Sequence, residues 1–335
     1  MIAARTRSPQ RGAALLLAML ILTLVATLAA GMVWQQWRAL QVEAAERARA
    51  QSAWILSGAL DWARLILRED KRENDRETSR GGAVDHLGEP WAVPLAEARL
   101  SSFLAADRDN NSAAEADGVE AFLSGSITDA QSRWNLRRLI DDKGEIVPAP
   151  RLVLQRLCDQ AGVPSDSAER IAQALRRAWA PSVAPAAAGD VAGAAIAPQR
   201  LADLLWLGIE PDTLRRLEPW VIVLPDREAR VNVNTAPAEV IAAAVEGMSL
   251  GSAQRLVQER QHTPLRVLAV APAGAYFPAG PPELLVGVGV SSSHFIVQGR
   301  LRLGERVLEE RSLIVRRQLD IVVLARERVN LRDSN

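Results

Sequence analysis

The hydrophobic pattern near the start of the chain predicts a membrane-spanning helix. No ionisable side chain occurs from Ala13 to Trp34, and a helix of this length, at ~1.5 Å per residue, matches a hydrocarbon core of roughly 30 Å. Arg5, Arg7 and Arg11 precede the run, which favours a cytoplasmic N-terminus because basic residues collect on that side. The chain after Trp37 is then expected on the far side of the membrane.

The helical pattern continues beyond the membrane segment. There is no proline between Trp34 and Glu69, and most residues there are good helix formers. A helix from Ala13 to Glu69 would be roughly 85 Å long, and the charged run from Arg68 to Arg80 is predicted to end it as a solvated loop. Apolar residues at three- and four-residue steps predict one buried face. This face consists of Trp54, Ile55, Gly58, Ala59, Trp62, Leu65 and Ile66.

The rest of the chain is predicted to be mainly helical in its middle, with strands on either side. The strands are expected to form a hairpin with one buried face, because apolar residues alternate with arginines in its two halves. The predicted elements are a loop into an edge strand (84–93), helices near 152–161, 167–179, 201–206 and 212–217, an apolar run at 221–224, and hairpin strands at 294–303 and 306–316. Between them, residues 180–198 are rich in alanine and proline, which is typical of a linker or flexible loop.

The segment from Val231 to Leu268 resembles a helix-hairpin-helix unit. Its parts are a helix from Ala238, a hairpin at residues 247–251 with a glycine at each end, and a second helix ending near Arg260. In nucleic-acid-binding members of that class, hairpin amides hold a phosphate and clustered cations add affinity. Here the charges nearly cancel, so a protein-interaction fold is favoured over DNA binding. The charges concerned are Glu239, Glu246 and Glu259 against Arg255 and Arg260.

Overall charge and reactive residues exclude several function classes. Forty basic and forty acidic residues cancel, so no field of the whole chain attracts nucleic acid or an anionic membrane surface. The single cysteine, Cys158, cannot close an intrachain disulfide. The three histidines, His86, His262 and His294, are widely separated and show no metal-ligand spacing.

An enzyme is an alternative of a different class. Candidate nucleophiles are Ser124, Ser132 and the serines at 291–293. None of them lies in a Gly-x-Ser-x-Gly elbow, and no matched base and acid accompany them in the sequence.

An acidic stretch offers a candidate calcium site. Hard cations bind six to eight oxygen atoms, and one loop supplies several oxygen ligands. The candidate ligands are Asp107, Asp109, Asn111, Glu115 and Asp117. The pattern lacks the glycine of a calcium loop at Ser112 and the closing glutamate at Gly118, so a solvated acidic loop is the alternative.

The junction before the apolar run allows three interpretations. Gln10-Arg11-Gly12 followed at once by Ala13 resembles a type IV prepilin leader, which a prepilin peptidase cuts between Gly12 and Ala13 on the cytoplasmic side. The alternatives are a signal peptide cleaved near Ala29 and a plain membrane anchor. Most pilins carry a glutamate at the position of Leu17, where a carboxylate in hydrocarbon needs a partner. Its absence here suggests a subunit with no other subunit ahead of it.

These pieces, in this order, resemble the type II secretion system minor pseudopilin K family, also called general secretion pathway protein K. The residues that carry the likeness are Arg11-Gly12 with the following helix, Leu17, residues 129–139 around Asn135-Leu136, Asn232-Val233-Asn234-Thr235-Ala236, and Ser293-His294-Phe295. The resemblance implies an α+β, pilin-like fold with a long N-terminal helix on an antiparallel sheet and a large helical insertion containing helix-hairpin-helix units.

The resemblance also implies a location and partners. The chain is expected to cross the bacterial inner membrane once and to place its C-terminal part in the periplasm. There it would cap the tip of a pseudopilus with the minor pseudopilins I and J and other pseudopilins, support protein export, and bind no nucleic acid. Family members bind calcium in the head, but Ala180 and Pro181 stand where an acidic run is expected after Trp179.

The expected domains follow from this resemblance. They are a leader (1–12), the long helix (13–69), a pilin-like head (70–99 and 284–330), a first helical insertion domain (100–227) and a second, helix-hairpin-helix-like domain (228–283). The main rival function is a membrane-anchored, helix-hairpin-helix DNA-binding protein of the competence type.

Overall fold

The computed structural model describes residues 11–77, 84–100, 120–183, 196–268, 276–278, 281–304 and 306–329. The chain divides into two compact units, Met1–Ser57 and Gly58–Asn335. The first unit is helical throughout its described residues, and its apolar side chains up to Val42 are exposed. The second unit holds a five-stranded sheet and a mainly helical insertion.

The elements of the chain follow one another in this order. The helices are α1 (Arg11–Glu77), α2 (Pro148–Ala161), α3 (Ser167–Val183), α4 (Pro211–Leu217), α5 (Ala238–Ala244) and α6 (Leu250–Glu259). The strands are β1 (Leu95–Arg99), β2 (Ala121–Asp129), β3 (Trp134–Asn135), β4 (Val221–Ile222), β5 (Val231–Asn232), β6 (Val288–Gly289), β7 (His294–Leu303), β8 (Arg306–Arg317) and β9 (Asp320–Val329). Short 3₁₀ helices lie at Pro90–Ala92, Ala130–Ser132, Leu136–Leu139, Leu201–Leu207 and Pro282–Leu285.

The head is an antiparallel sheet in the order β1-β2-β7-β8-β9. On one face, Leu60, Ala63 and Leu67 of α1 belong to a core formed with sheet residues. Trp91 and Phe295 pack edge to face in this core, with ring centroids 5.2 Å apart. The sheet residues in the core are Ile127, Phe295, Val297, Ile314 and Ile321. The fold class inferred from the sequence is therefore confirmed.

The insertion lies between Asp129 and His294. A single apolar core holds side chains from α2, α3, α5 and α6 together, and it includes residues of the parallel pairs β3-β4 and β5-β6. A smaller cluster joins the insertion to the sheet and contains Ala130, Leu224, Ala229, Ile222, Ile296 and Leu313. The insertion is thus one packed body seated on the head.

The predicted domain limits differ from this packing. The insertion does not begin at residue 100, because Ala121–Asp129 forms nine residue pairs with β7 and belongs to the main sheet. The head does not resume at residue 284, because Val288–Gly289 pairs with β5 of the insertion. The limit at residue 227 stays a prediction, and residues before and after it share one apolar core.

Two predictions about α1 are also wrong. The helix runs to Glu77, so the charged run is helical as far as it is described, and ion pairs one turn apart stabilise it: Arg72–Glu69 at 3.0 Å and Lys71–Asp75 at 2.5 Å. The predicted buried face is largely exposed: Trp54, Trp62 and Leu65 are 79%, 42% and 53% accessible. The buried face lies on the other side of the helix, at Leu60, Ala63 and Leu67.

Several local predictions are confirmed. The helix predicted near 152–161 is α2, and Gly162, at φ +62°, ends it in the left-handed region. The hairpin β7-β8 is present in full, and β9 adds a third strand that the sequence pattern did not reveal. The Gly88 amide donates a hydrogen bond to Nδ1 of His86, in the loop before the Pro90–Ala92 turn.

Candidate functional site

The first functional element is the apolar part of α1. In the described chain, one helix is long and apolar enough to cross a membrane: its best 18-residue window has a mean hydropathy of 2.6, and none of that window is buried. Leu17 lies in it, 60% exposed. The predicted cleavage position, Gly12–Ala13, falls in the first turn of α1, while residues 1–10 lie outside the described residues. Cleavage there stays a prediction.

The second element is a buried polar network where the insertion meets the head. We call it the polar junction and define it as Asp70, Asp85, Asp129, Asn232, Thr235, Ser292 and Arg316. These residues come from α1, the loop before the Pro90–Ala92 turn, the end of β2, β5 and the residues after it, the segment before β7, and β8. All seven are less than 9% exposed, so each polar group depends on partners inside the protein.

Asn232 is the hub of the polar junction. Its side-chain amide nitrogen donates to the Asp85 carbonyl at 3.0 Å, to Asp129 Oδ2 at 3.1 Å and to Ser292 Oγ at 2.9 Å. Its oxygen accepts from the Asn234 amide at 2.9 Å. One residue of the insertion thereby contacts the loop before the Pro90–Ala92 turn, the end of β2 and the segment before β7.

Asp129 is a carboxylate held by neutral donors. Besides Asn232, the hydroxyls of Thr235 and Ser292 each donate to its Oδ2 at 2.6 Å, and the Gln131 amide donates to its Oδ1 at 2.7 Å. Burial raises the pKa of Asp129 to about 6, although the hydrogen bonds from Ser292 and Thr235 lower it. The Asn-Val-Asn-Thr-Ala run is therefore the insertion's direct link to the last residue of β2.

Arg316 supplies the positive charge of the polar junction. Its guanidinium forms ion pairs with Asp70, at 2.5 Å, and with Asp85, and it donates to the Ser292 carbonyl at 2.9 Å. Burial lowers its pKa, but Asp85 and Asp70 outweigh that effect and leave it raised. Burial and then the nearby Glu89 carboxylate raise the pKa of Asp70 to about 7, against the opposing effect of Arg316.

A second layer of hydrogen bonds stiffens the insertion behind the junction. Asn234 donates to the Leu265 carbonyl and accepts from the Leu265 amide, each at 2.9 Å. Arg260 donates to the carbonyls of Val233 and Ala236, and burial lowers its pKa to about 10. Asn135, the other motif asparagine, accepts from the Leu224 amide at 2.9 Å. The motif asparagines therefore act by ordering loops.

The structure also bears on the candidate metal sites. The calcium ligands predicted at residues 107–117 lie outside the described residues, so calcium stays a prediction. Within the described chain, ligand atoms of Asp70, Asp85 and Glu89 lie within 4.8 Å of one another. These carboxylates already have partners, because Arg316 pairs with the first two and the Trp91 indole donates to Glu89 at 2.7 Å. The geometry describes a carboxylate cluster in which one arginine bridges two of the three members.

Three of the candidate serines, Ser132, Ser292 and Ser293, form structural hydrogen bonds. Ser132 donates to the Asp129 carbonyl at 2.7 Å, and Ser292 belongs to the polar junction. Ser293 Oγ lies 3.0 Å from His294 Nδ1 and equally close to Gln131 Oε1. His294 is 2% exposed, and burial is the main cause that lowers its pKa. These contacts connect β7 to the turn after β2.

The helix-hairpin-helix prediction holds in outline. Helices α5 and α6 start and end close to the expected residues, with Gly247 at φ +76° between them, but Gly251 lies within α6. Ser249 caps α6 by accepting from the Ser252 amide at 3.1 Å. Arg260, one of the two cations considered for DNA binding, is 8% exposed, and its side chain is hydrogen-bonded to a backbone carbonyl inside the protein. The described part of this unit thus offers no cluster of exposed cations for a phosphate backbone.

Comparison with known proteins gives consistent results. Two family models, both described as type II secretion system (T2SS) protein K, match residues 132–226 and 231–270. Type II secretion system protein K of Pectobacterium carotovorum is 29% identical over 330 residues, covering 92% of this chain and 93% of that protein. Its counterpart in Pseudomonas aeruginosa is 29% identical over 267 residues, covering 76% and 73%.

A solved structure shares the fold. It is the crystal structure of the GspK-GspI-GspJ complex from the enterotoxigenic Escherichia coli type 2 secretion system. The match has a TM-score of 0.59 and 19% identity, and it covers 85% of this chain and 98% of the solved chain.

Proposed function

We propose that this chain is a minor pseudopilin of the type II secretion system protein K family, whose models and members it matches, and that it caps the tip of a periplasmic pseudopilus. The observation that carries the proposal is the exposed apolar surface of α1 as far as Val42. The second unit buries cores of its own. An apolar helix surface of this extent is stable in lipid or against other helices, as in a membrane-anchored subunit of a helical bundle.

The insertion supports a place at the tip. It adds a complete packed body to the head, and subunits along the shaft of a helical filament have little room for such a body. Leu17 supports the same place, because a carboxylate there would need a partner from a subunit ahead. A subunit that leads the filament needs no such carboxylate.

Processing, topology and partners complete the proposal. Prepilin peptidase would cut between Gly12 and Ala13, leaving α1 on the mature protein with its start on the cytoplasmic side of the inner membrane. The solved relative assembles with GspI and GspJ, and we propose the corresponding minor pseudopilins I and J as partners of this chain. The rest of the chain would then work in the periplasm during protein export.

The decisive experiment replaces the glycine of the predicted cleavage site. Gly12→Ala is expected to leave the precursor uncut, which the intact mass of the purified protein shows directly, and to impair export in a strain that depends on this chain. Gly31→Ala is the matched control, because Gly31 lies in the same apolar helix with open space around its Cα. The control is expected to be processed and to export normally.

Three outcomes would contradict the proposal. These are cleavage of the Gly12→Ala protein as efficient as that of the parent, a mature parent protein that begins near residue 30, and failure of the chain to co-purify with minor pseudopilins I and J from membranes. The first two outcomes concern the leader, and the third concerns the assembly.

A further inference from the structure

A groove on the insertion combines apolar walls with three arginines. Its cavity measures about 450 Å³, within the ~300–1,000 Å³ typical of ligand pockets. Leu152 of α2 and Val286, which follows the Pro282–Leu285 turn, line it while 47% and 54% exposed. Pro150 and Val153 extend the apolar wall. A partner's apolar side chain would gain from covering these residues.

The three arginines of this groove are Arg138, Arg156 and Arg227. Arg138 and Arg156 donate to the carbonyls of Ala229, at 3.5 Å, and Ala243, at 2.6 Å. A guanidinium has five N–H donors, so both arginines retain donors for a further acceptor.

The charges around the groove are unevenly placed. Arg227 pairs at 3.1 Å with Asp142, a side chain that is 90% exposed, and such surface pairs are weak. The arginines are partly buried, whereas Glu228, Glu246 and Glu283 are exposed lining residues. Among the described residues, no salt bridge joins these arginines to the three glutamates. The partly buried positive charge therefore favours one carboxylate inside the groove, and the exposed glutamates disfavour a highly acidic ligand.

We propose that this arginine groove binds an extended segment of a partner protein in which one carboxylate side chain lies between branched aliphatic side chains. The carboxylate would accept from Arg138 and Arg156, since charge-assisted bonds to guanidinium are short and strong. The aliphatic side chains would cover Leu152 and Val286. This binding activity goes beyond the proposed function and stands without it.

The test uses defined peptides and the full chain in lipid nanodiscs. The probes are three terminally blocked, dye-labelled pentapeptides: Gly-Leu-Glu-Leu-Gly, its glutamine counterpart Gly-Leu-Gln-Leu-Gly, and Gly-Gly-Glu-Gly-Gly. Fluorescence anisotropy at 150 mM salt measures their affinity. The Leu-Glu-Leu peptide is expected to bind at least tenfold more tightly than each of the other two, because it alone satisfies both the arginines and the apolar wall.

Variants of the chain assign the binding to the groove. The pair Arg138→Gln and Arg156→Gln is expected to lower the affinity for the Leu-Glu-Leu peptide at least tenfold and to remove the preference over the glutamine peptide. Leu152→Ser, at a half-exposed position that tolerates a polar side chain, tests the apolar wall without disturbing a buried bond. Arg255→Gln, on the exposed side of α6 and outside the groove, is the control and should leave binding unchanged.

Several results would overturn the proposal. These are equal affinity for the glutamate and glutamine peptides, no binding of the Leu-Glu-Leu peptide at millimolar concentration, or binding that survives both the arginine pair and Leu152→Ser. Self-association of the chain that disappears in the same variants would assign the groove to a second copy, and would also overturn it.

Discussion

The sharpest prediction concerns Asn232, the hub of the polar junction. Asn232→Asp changes one NH₂ group into an oxygen and leaves the shape of the side chain unchanged. In the folded chain that oxygen would lie about where the amide nitrogen now lies, 3.1 Å from Asp129 Oδ2 and 3.0 Å from the Asp85 carbonyl oxygen. Two donated bonds would become contacts between acceptors.

The expected loss in the free energy of unfolding depends on how the folded variant responds to the second carboxyl group. Two like charges about 3 Å apart repel by roughly 5 kcal/mol at an effective dielectric constant of about 20. The new carboxyl group can instead take up a proton, which at pH 7 costs about 4 kcal/mol when its unfolded pKa is about 4. The proton can also settle on Asp129, whose pKa of about 6 makes its protonation at pH 7 cost about 1.4 kcal/mol, but the new carboxylate then stays ionised and buried. The loss is therefore expected at about 1.5–4 kcal/mol, a sizeable part of the ~5–15 kcal/mol that stabilises a typical domain.

The sign of the pH dependence distinguishes this mechanism from simple misfolding. The folded variant holds a proton that the unfolded chain releases, so the free energy of unfolding should rise by about 1.4 kcal/mol for each pH unit below 7, down to about pH 5. Urea unfolding in detergent micelles at pH 5 and pH 7.5, read by hydrogen-exchange mass spectrometry at residues 121–129 and 231–236, measures it. Gln258→Glu, an exposed amide-to-acid change on α6, is the control. A loss below about 1 kcal/mol at pH 7.5, or an equal loss at both pH values, would refute the reasoning.

Three further predictions test the surrounding structure. Leu67→Ala should lower the free energy of unfolding by about 2–5 kcal/mol because Leu67 is fully buried. Leu65→Ala, at an exposed position on the same helix, should change it by less than about 1 kcal/mol. Urea titration compares the two variants, and equal losses would contradict the helix orientation. Arg260→Gln should raise hydrogen exchange across residues 231–236 because two buried carbonyls lose their donor. Unchanged exchange would show that Arg260 does not order this segment. In the unaltered chain, the raised pKa values of Asp70 and Asp129 mean that the folded state holds protons which the unfolded state releases, so stability should fall as pH rises from about 4 to about 7. A urea series across that window checks the sign, and a rise would refute it.

Local signals in the sequence predicted those helices and strands whose ends are set by residues close to them along the chain. Gly162 ends α2 because its backbone is left-handed, and that requirement is readable without knowing the fold. The helix-hairpin-helix unit and the β7-β8 hairpin were found for the same reason, since turn residues and periodicity lie within a few positions of each other.

The orientation of α1 could not be predicted in this way. Two apolar stripes run along the helix, one through Trp54 and Trp62 and the other through Leu60, Ala63 and Leu67. Periodicity gives the spacing of a stripe but does not say which stripe faces the sheet. We predicted the stripe through Trp54 and Trp62 to be buried. The stripe that is buried continues into Asp70, an acidic residue that gave no sign of a core position.

The polar junction was equally hidden, because its partners are far apart along the chain. Asn232 and Asp129 are separated by 103 positions, and Asp70 and Arg316 by 246. The sequence singled out both Asn232 and Asp129 within family motifs, but it did not show that the two motifs bind each other. Arg316 belongs to a predicted strand with alternating arginines, and only its ion pairs distinguish it from its exposed neighbour Arg317.

The chemistry of this junction explains why the insertion is held by polar groups. Apolar packing alone, as between Leu224 and Ile296, is not directional and tolerates small rotations of one surface on another. Asn232 and Arg316 bind the insertion, α1, β2 and β8 through bonds that weaken steeply when their angles change. Burying these polar side chains costs desolvation free energy that apolar side chains would not cost. In exchange, directional bonds favour a single orientation of the insertion on the head. The proposed place at the tip of a filament requires this property, because a body of that size must point in one direction for its partner subunits to meet the same surface each time.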